Sequence, residues 1–247
     1  MLIRWLLRES LDHSHKQEDI EARLRRTAGN PSFLRDAVYG GIDGAITTFA
    51  IVAGVQGAGF DSQIIVALGV ANVLADGFSM AASNYSGIKA DSDNVDRLRS
   101  MEERHIVEFP EGERLEIQTI LANKGLSGRA LDEAVAVVTS HKPLWLDMML
   151  VEEHGVSTVP SAPLRAAIVT FAAFFVCGLV PLLPFVLDME SAFLTSIVAT
   201  GFTFALIGSV KSRWSLKSWW ASALQTLSIG AAAALIAWSA AMFITRL

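Results

Sequence analysis

The chain has 247 residues, of which 52% are hydrophobic and 18% charged, and its formal net charge is −5. So much apolar material excludes a disordered chain, and so little charge, against about 25% in ordinary soluble domains, argues against a soluble globule. Cys177 is the only cysteine, which excludes a disulfide scaffold, and the acidic balance leaves no reason to expect a nucleic-acid partner.

The charge is distributed in blocks. Residues 1–35 carry seven basic and five acidic groups; residues 36–88 carry four Asp and no Lys or Arg. Residues 89–154 carry eight basic and fourteen acidic groups, and residues 155–247 five basic and two acidic. An acidic block therefore lies between two apolar ones.

In chain order, residues 1–33 form an N-terminal segment whose first part, Met1–Arg26, is expected to be amphipathic and to lie on the cytoplasmic membrane face. Its apolar run, broken by Arg4, is too short for a signal-peptide core. Two apolar stretches follow within residues 34–87, roughly Asp36–Gly57 around Asp43 and Ser62–Ser86 around Asp76. Residues 88–156 read as a helical domain inserted between spans two and three. Lys89–Glu108 continues the second span, Pro110 opens a helix that ends before Gly125, and Ser127 caps a third. Pro143 starts a last helix, Leu144–His154, that Gly155 stops. Within residues 157–247 lie three uncharged runs, Ala166–Leu187, Ser191–Val210 and Ser218–Thr245, each long enough for the ~20 residues a membrane crossing needs. The expected fold is an all-α integral membrane protein with five transmembrane helices. The Lys and Arg bias places the N-terminus, the insert and the 211–217 loop in the cytoplasm and the C-terminus outside.

Asp43 and Asp76 are the first candidate functional residues. A carboxylate at mid-bilayer costs ~2.5–3.5 kcal/mol on insertion scales. Residues 36–88 contain no basic partner, and the three later spans are uncharged. The neutralising partner is then a proton, a polar backbone site or an exchangeable cation, which points to a cation path. Met80 lies one turn from Asp76, Thr47 one turn from Asp43, and Asn72, Ser83 and Asn84 widen the polar face. A thioether beside carboxylates favours a transition metal. Asp36 and Asp61, at span ends, are expected to be interfacial. Gly40 and Gly44 form a small-xxx-small pair that permits close helix contact, expected with a second copy, the alternative being packing within one subunit.

The insert offers a second donor set. Glu102 and His105 share a helix face, as do Glu113 and Glu116, and Met149 and Glu153. Carboxylates with an imidazole and a thioether suit a dication such as Fe2+ better than Ca2+ or Mg2+. Alone, each such Glu would more often be a solvated helix face.

The strings Arg35-Asp36-Ala37-Val38-Tyr39-Gly40-Gly41-Ile42-Asp43-Gly44, Ser79-Met80-Ala81-Ala82 and Trp145-Leu146-Asp147-Met148-Met149, with the insert between them, resemble the vacuolar iron transporter family from about Leu34 to the C-terminus. The resemblance implies a five-span homodimer in membrane lipid. It implies that Fe2+, often with Mn2+, leaves the cytosol in exchange for protons. It implies a path lined by Asp43 and Met80, and an insert that gathers metal through Glu102, Glu113, Glu116, Met149 and Glu153. In two places the chain departs from the family's pattern. Asn84 stands where many members carry Glu, leaving Asp76 to take that acidic role; in the insert, His105 stands where a further Glu is common and Leu150 replaces a second methionine. The expected location is the bacterial inner membrane, and no organic cofactor or catalytic residue is expected. Two other functions compete: a membrane-anchored di-iron oxidase, for which one Glu102-x-x-His105 is too few, and an uncoupled divalent-metal channel.

Overall fold

A computed structural model describes residues 16–27 and 32–244. Every regular element among them is helical. In chain order these are α1 (Gln17–Thr27), α2 (Leu34–Gly57), α3 (Ser62–Glu108), α4 (Pro110–Asn123), α5 (Gly128–Ser140), α6 (Lys142–Met148), a π-helical turn (Met149–Glu153), α7 (Pro163–Leu179), a 3-10 turn (Val180–Leu182), α8 (Leu183–Val186), α9 (Ala192–Ser212) and α10 (Trp219–Ile244). Most of the expected Met1–Arg26 segment lies outside the described residues.

Among the described residues, five helical stretches are long and apolar enough to cross a membrane: Leu34–Gly57, Ser62–Glu108, Pro163–Val186, Ala192–Ser212 and Trp219–Phe243. The fold is an all-α integral membrane protein, as the hydropathy pattern requires. The chain divides into two compact units, one holding Ser92–Ser161 and the other Ser32–Asp91 with Ala162–Leu247.

In the membrane unit, span one packs against spans three, four and five. Span two keeps its own buried stripe at four-residue spacing, Ile65, Gly69, Val73, Gly77 and Ala81, facing span three. Span three is broken near its end. Pro181 and Pro184 lack the N–H groups an α-helix uses, so the chain tightens into a 3-10 turn. The Ser196 hydroxyl donates to the Pro181 carbonyl at 2.7 Å, satisfying a group that lipid could not. The break delivers Leu182 and Phe185 into an apolar cluster with Phe49, Val52, Val55, Ile65 and Val73.

In the insert unit, Ile117, Leu121, Val135, Val138, Trp145 and Met149 form one core. Pro110 opens α4, and Gly125 takes a left-handed φ of 98° after it, as its lack of a Cβ allows. Ser127 does occupy the N-cap position of α5, but its hydroxyl makes no capping bond. The last helix is not the uninterrupted α-helix expected over Leu144–His154: it is α only to Met148 and widens to π over Met149–Glu153 before Gly155.

Candidate functional site

Spans one and two run antiparallel, and each presents polar residues about one turn apart. On span one these are Asp36, Tyr39, Asp43 and Thr47; on span two, Asn72, Asp76, Met80 and Asn84. The residues pair in register. Asn84 Nδ2 donates to Asp36 Oδ1 at 2.9 Å and to Thr170 Oγ1 of span three at the same distance. Asp43 and Asp76 lie close enough to feel each other's charge. Asn72 Nδ2 donates to Thr47 Oγ1 at 3.3 Å, and that hydroxyl donates to the Asp43 carbonyl at 3.0 Å. The result is a polar row between two helices that are not packed side against side along their length. A cavity of about 410 Å³ lies at the Asp36 end, lined by Arg35, Asp36, Tyr39, Ser79, Met80, Ser83 and Asn84. A second, about 420 Å³, contains Asp43 and Lys211 among Leu34, Val38 and Ile42.

In the insert, Glu102 and Glu113 are buried, at 1% and 4% exposure. Buried carboxylates are costly unless paired. Glu102 Oε1 lies 2.8 Å from His154 Nε2, and Glu113 Oε1 lies 3.3 Å from His105 Nδ1. The other oxygen of each acid is buried without a hydrogen-bond partner. Burial, followed by the charges of Glu102 and Glu116, pushes the Glu113 carboxyl up to about 8. Burial and the Glu116 charge also raise Glu153, while His154 pulls it the other way. Two groups of donors result, Glu102–His105–Glu113 and Glu102–Glu153–His154, each with its ligand atoms within 4.8 Å of one another. Buried, under-satisfied carboxylate oxygens beside imidazoles are a donor set for a first-row dication.

The model of the VIT family matches residues 34–242. The chain is 33% identical over 211 residues to vacuolar iron transporter 1 of Tulipa gesneriana, covering 84% of this chain and 85% of the relative. It is 33% identical over 242 residues to vacuolar iron transporter 2 of Oryza sativa subsp. japonica, covering 96% and 98%. With vacuolar iron transporter 1 of Arabidopsis thaliana it shares 32% over 210 residues, 84% and 83% of the two chains.

The chain belongs to the VIT family.

The names of its VIT relatives mark a transporter, not an enzyme. The matched region contains both donor sets and leaves out the N-terminal 33 residues. Of the residues singled out from sequence, the structure brings Asp43, Asp76, Thr47, Met80 and Asn84 into one row, and Glu102, His105, Glu113 and Glu153 into one cluster. Glu116 stays exposed at the edge of that cluster, where its charge acts on Glu113 and Glu153. Met149 is fully buried in the insert's apolar core.

Asp36, in the first turn of span one, is buried and accepts a hydrogen bond from Asn84; two expectations need correction. Gly40 and Gly44 do permit a close approach, but it is made within the chain, against the backbone of Thr170 and Phe174 in span three. No room is left there for a second copy. Nor is Asp43 remote from every base, because Lys211 at the end of span four lines the same cavity.

Sequence reasoning missed His154. Its only local signal is its place after Glu152 and Glu153 at the end of the last insert helix, and its partner Glu102 lies 52 residues away.

Proposed function

We propose that the protein moves Fe2+, and also Mn2+, out of the cytosol in exchange for protons. The observation that carries this reading is the polar row between spans one and two. Three carboxylates, a thioether, two amides and two hydroxyls follow one another along the membrane-crossing faces, with two cavities opening onto them. Carboxylates hold either a proton or a dication, so binding one displaces the other. Met80 adds a soft donor that Mg2+ and Ca2+ do not seek. The insert gathers metal on the cytoplasmic side through Glu102, His105, Glu113 and Glu153, with Glu116 adding charge.

The orientation that follows from the Lys and Arg bias has the N-terminus and insert in the cytoplasm and the C-terminus outside, and the membrane is the bacterial inner membrane. The functional unit is a homodimer. Half-exposed Asp43 and Asp76 cannot face hydrocarbon, and a second copy laid over the open side of spans one and two supplies cover. That face replaces Gly40 and Gly44 as the contact.

The test uses proteoliposomes sorted for one orientation and loaded with a pH dye, with Fe2+ or Mn2+ added on the insert's side. Alkalinisation of an acidic interior in step with metal entry, lost in Asp43→Asn, is the expected result. Metal entry at a rate indifferent to the gradient, with no proton movement, would leave an uncoupled channel.

A further inference from the structure

Span four runs antiparallel to span one, and its Ile207 lies against Gly41. Lys211, one turn on, therefore comes level with Ala37, near the start of span one. Between the two helices at this level lies the cavity of about 420 Å³, walled by Leu34, Val38 and Ile42 at four-residue spacing on span one. Arg35 and Lys211 flank the end where span one begins, and Asp43 lies two turns deeper.

Lys211 is half-buried, and among the described residues neither it nor Arg35 makes a hydrogen bond or an ion pair. An ammonium held against apolar surface without an anion is costly. Asp36, the acid closest in level, is committed to Asn84. Asp43 sits about 9 Å below the level of Lys211, at 1.5 Å per residue, whereas a lysine at a span end extends its head toward the interface. Both cations are thus left for an anion at the membrane surface.

The level is that of lipid headgroups. The loop after Lys211 carries exposed Trp214, Trp219 and Trp220, and indoles gather where hydrocarbon meets headgroups. Arg213 and Lys217 add exposed positive charge, and residues 211–220 hold no acid. The apolar stripe from Leu34 to Ile42 is about 12 Å long, against about 15 Å for one leaflet's share of the hydrocarbon core.

We propose that this groove binds an anionic glycerophospholipid of the cytoplasmic leaflet, with its phosphate between Arg35 and Lys211 and the upper part of one acyl chain along Leu34, Val38 and Ile42. The leaflet follows from the orientation proposed above; the site does not depend on it. Basic pockets between spans at this depth suit anionic headgroups, and a zwitterionic headgroup would bring its own cation against them. The competing occupant is a second copy. Paired about a two-fold axis through the groove, it would set Arg35 and Lys211 against their own images, like charge on like.

The experiment uses full-length protein in detergent, with dioleoyl phosphatidylglycerol as the probe and dioleoyl phosphatidylcholine, of the same chains, as its control. Native mass spectrometry counts the lipids retained, and melting temperature in the same detergent follows binding in bulk. One phosphatidylglycerol per chain held more tightly than any phosphatidylcholine, with a melting temperature raised by the anionic lipid alone, is expected. Arg35→Gln and Lys211→Gln should each weaken that binding about fivefold, and Lys211→Arg should keep it. Val38→Trp, which fills the groove and leaves both charges, should remove it. Arg213→Gln with Lys217→Gln, outside the groove, should leave it nearly unchanged. Melting in lipid-free detergent verifies that each variant is folded. Equal retention of the two lipids, or phosphatidylglycerol binding undiminished in Lys211→Gln, overturns the proposal. Full competition by inorganic phosphate overturns it in favour of a simple anion site, and dissociation of a dimer by Val38→Trp with lipid binding unchanged gives the groove to a second copy. None of these readouts involves transport, so the proposal stands or falls apart from the exchange reading.

Discussion

Glu113 gives the sharpest test of the insert. Its carboxyl is raised from 4.5 to about 8, first by burial and then by the charges of Glu102 and Glu116. At pH 7 only about a tenth of such a group is ionised, and at pH 6 about a hundredth. A dication that needs the carboxylate must displace this proton, so the apparent affinity of the insert should fall about tenfold per pH unit below 8 and level off above it. Close to one proton should leave per ion bound at pH 6.5. Glu113→Gln keeps the shape and polarity of the protonated acid, so the fold survives while the exchangeable proton is gone. Binding should weaken and its pH slope should flatten. Stability moves in a defined direction. The folded pKa lies above the unfolded one, so the stabilisation is complete below about pH 4.5 and is lost as pH rises through 8. The metal-free protein should therefore melt at lower temperature at pH 9 than at pH 5, and Glu113→Gln should lose this part of the trend. The assay is titration calorimetry of detergent-solubilised protein with Co2+, in buffers of different ionisation enthalpy, repeated in His105→Gln to remove the neighbouring imidazole. A proton release near zero at pH 6.5, or the same slope in parent and Glu113→Gln, would refute the reasoning.

Asp43→Asn should reduce metal flux in liposomes at least a hundredfold without changing the melting temperature by more than a few degrees; flux at the parent rate removes Asp43 from the path. Gly44→Ala puts a methyl within 2.9 Å of Phe174 Cα, where backbone cannot yield. A loss of ~1–3 kcal/mol is expected, seen as a lower melting temperature with the oligomeric state retained; dissociation at unchanged melting temperature would assign the glycine to a contact between copies. Asn84→Ala leaves the buried Asp36 carboxylate without its side-chain donor and should cost ~1–3 kcal/mol by thermal melting, with Asn84→Gln recovering part of it. Unchanged stability in Asn84→Ala would show that water replaces the amide.

Much of this protein is legible along the chain because a bilayer is a one-dimensional constraint. About twenty uncharged residues in a row cannot be a surface helix, so the three later spans declare themselves, and the acids inside the first two stand out against an apolar background. Helix breaks are local as well: Pro110, Gly125, Pro143 and Gly155 mark the insert's helix boundaries, and four-residue spacing already grouped Asp76 with Met80 and Asp43 with Thr47. Which faces meet is decided elsewhere. Gly40 and Gly44 announce a close helix contact but not the partner, and only packing assigns them to span three. Asp36 is satisfied by Asn84 of span two, which also donates to Thr170 of span three, a meeting of three helices that no local spacing announces. The insert's helices and turns were local knowledge, but the widened turn at Met149–Glu153 has no compositional signature, and without it the meeting of Glu153 and His154 at Glu102 cannot be foreseen. Hydropathy and spacing are sums over neighbours in sequence. A ligand set gathered across 52 residues depends on register between helices, and the burial that raises Glu113 exists only once those helices have closed around it.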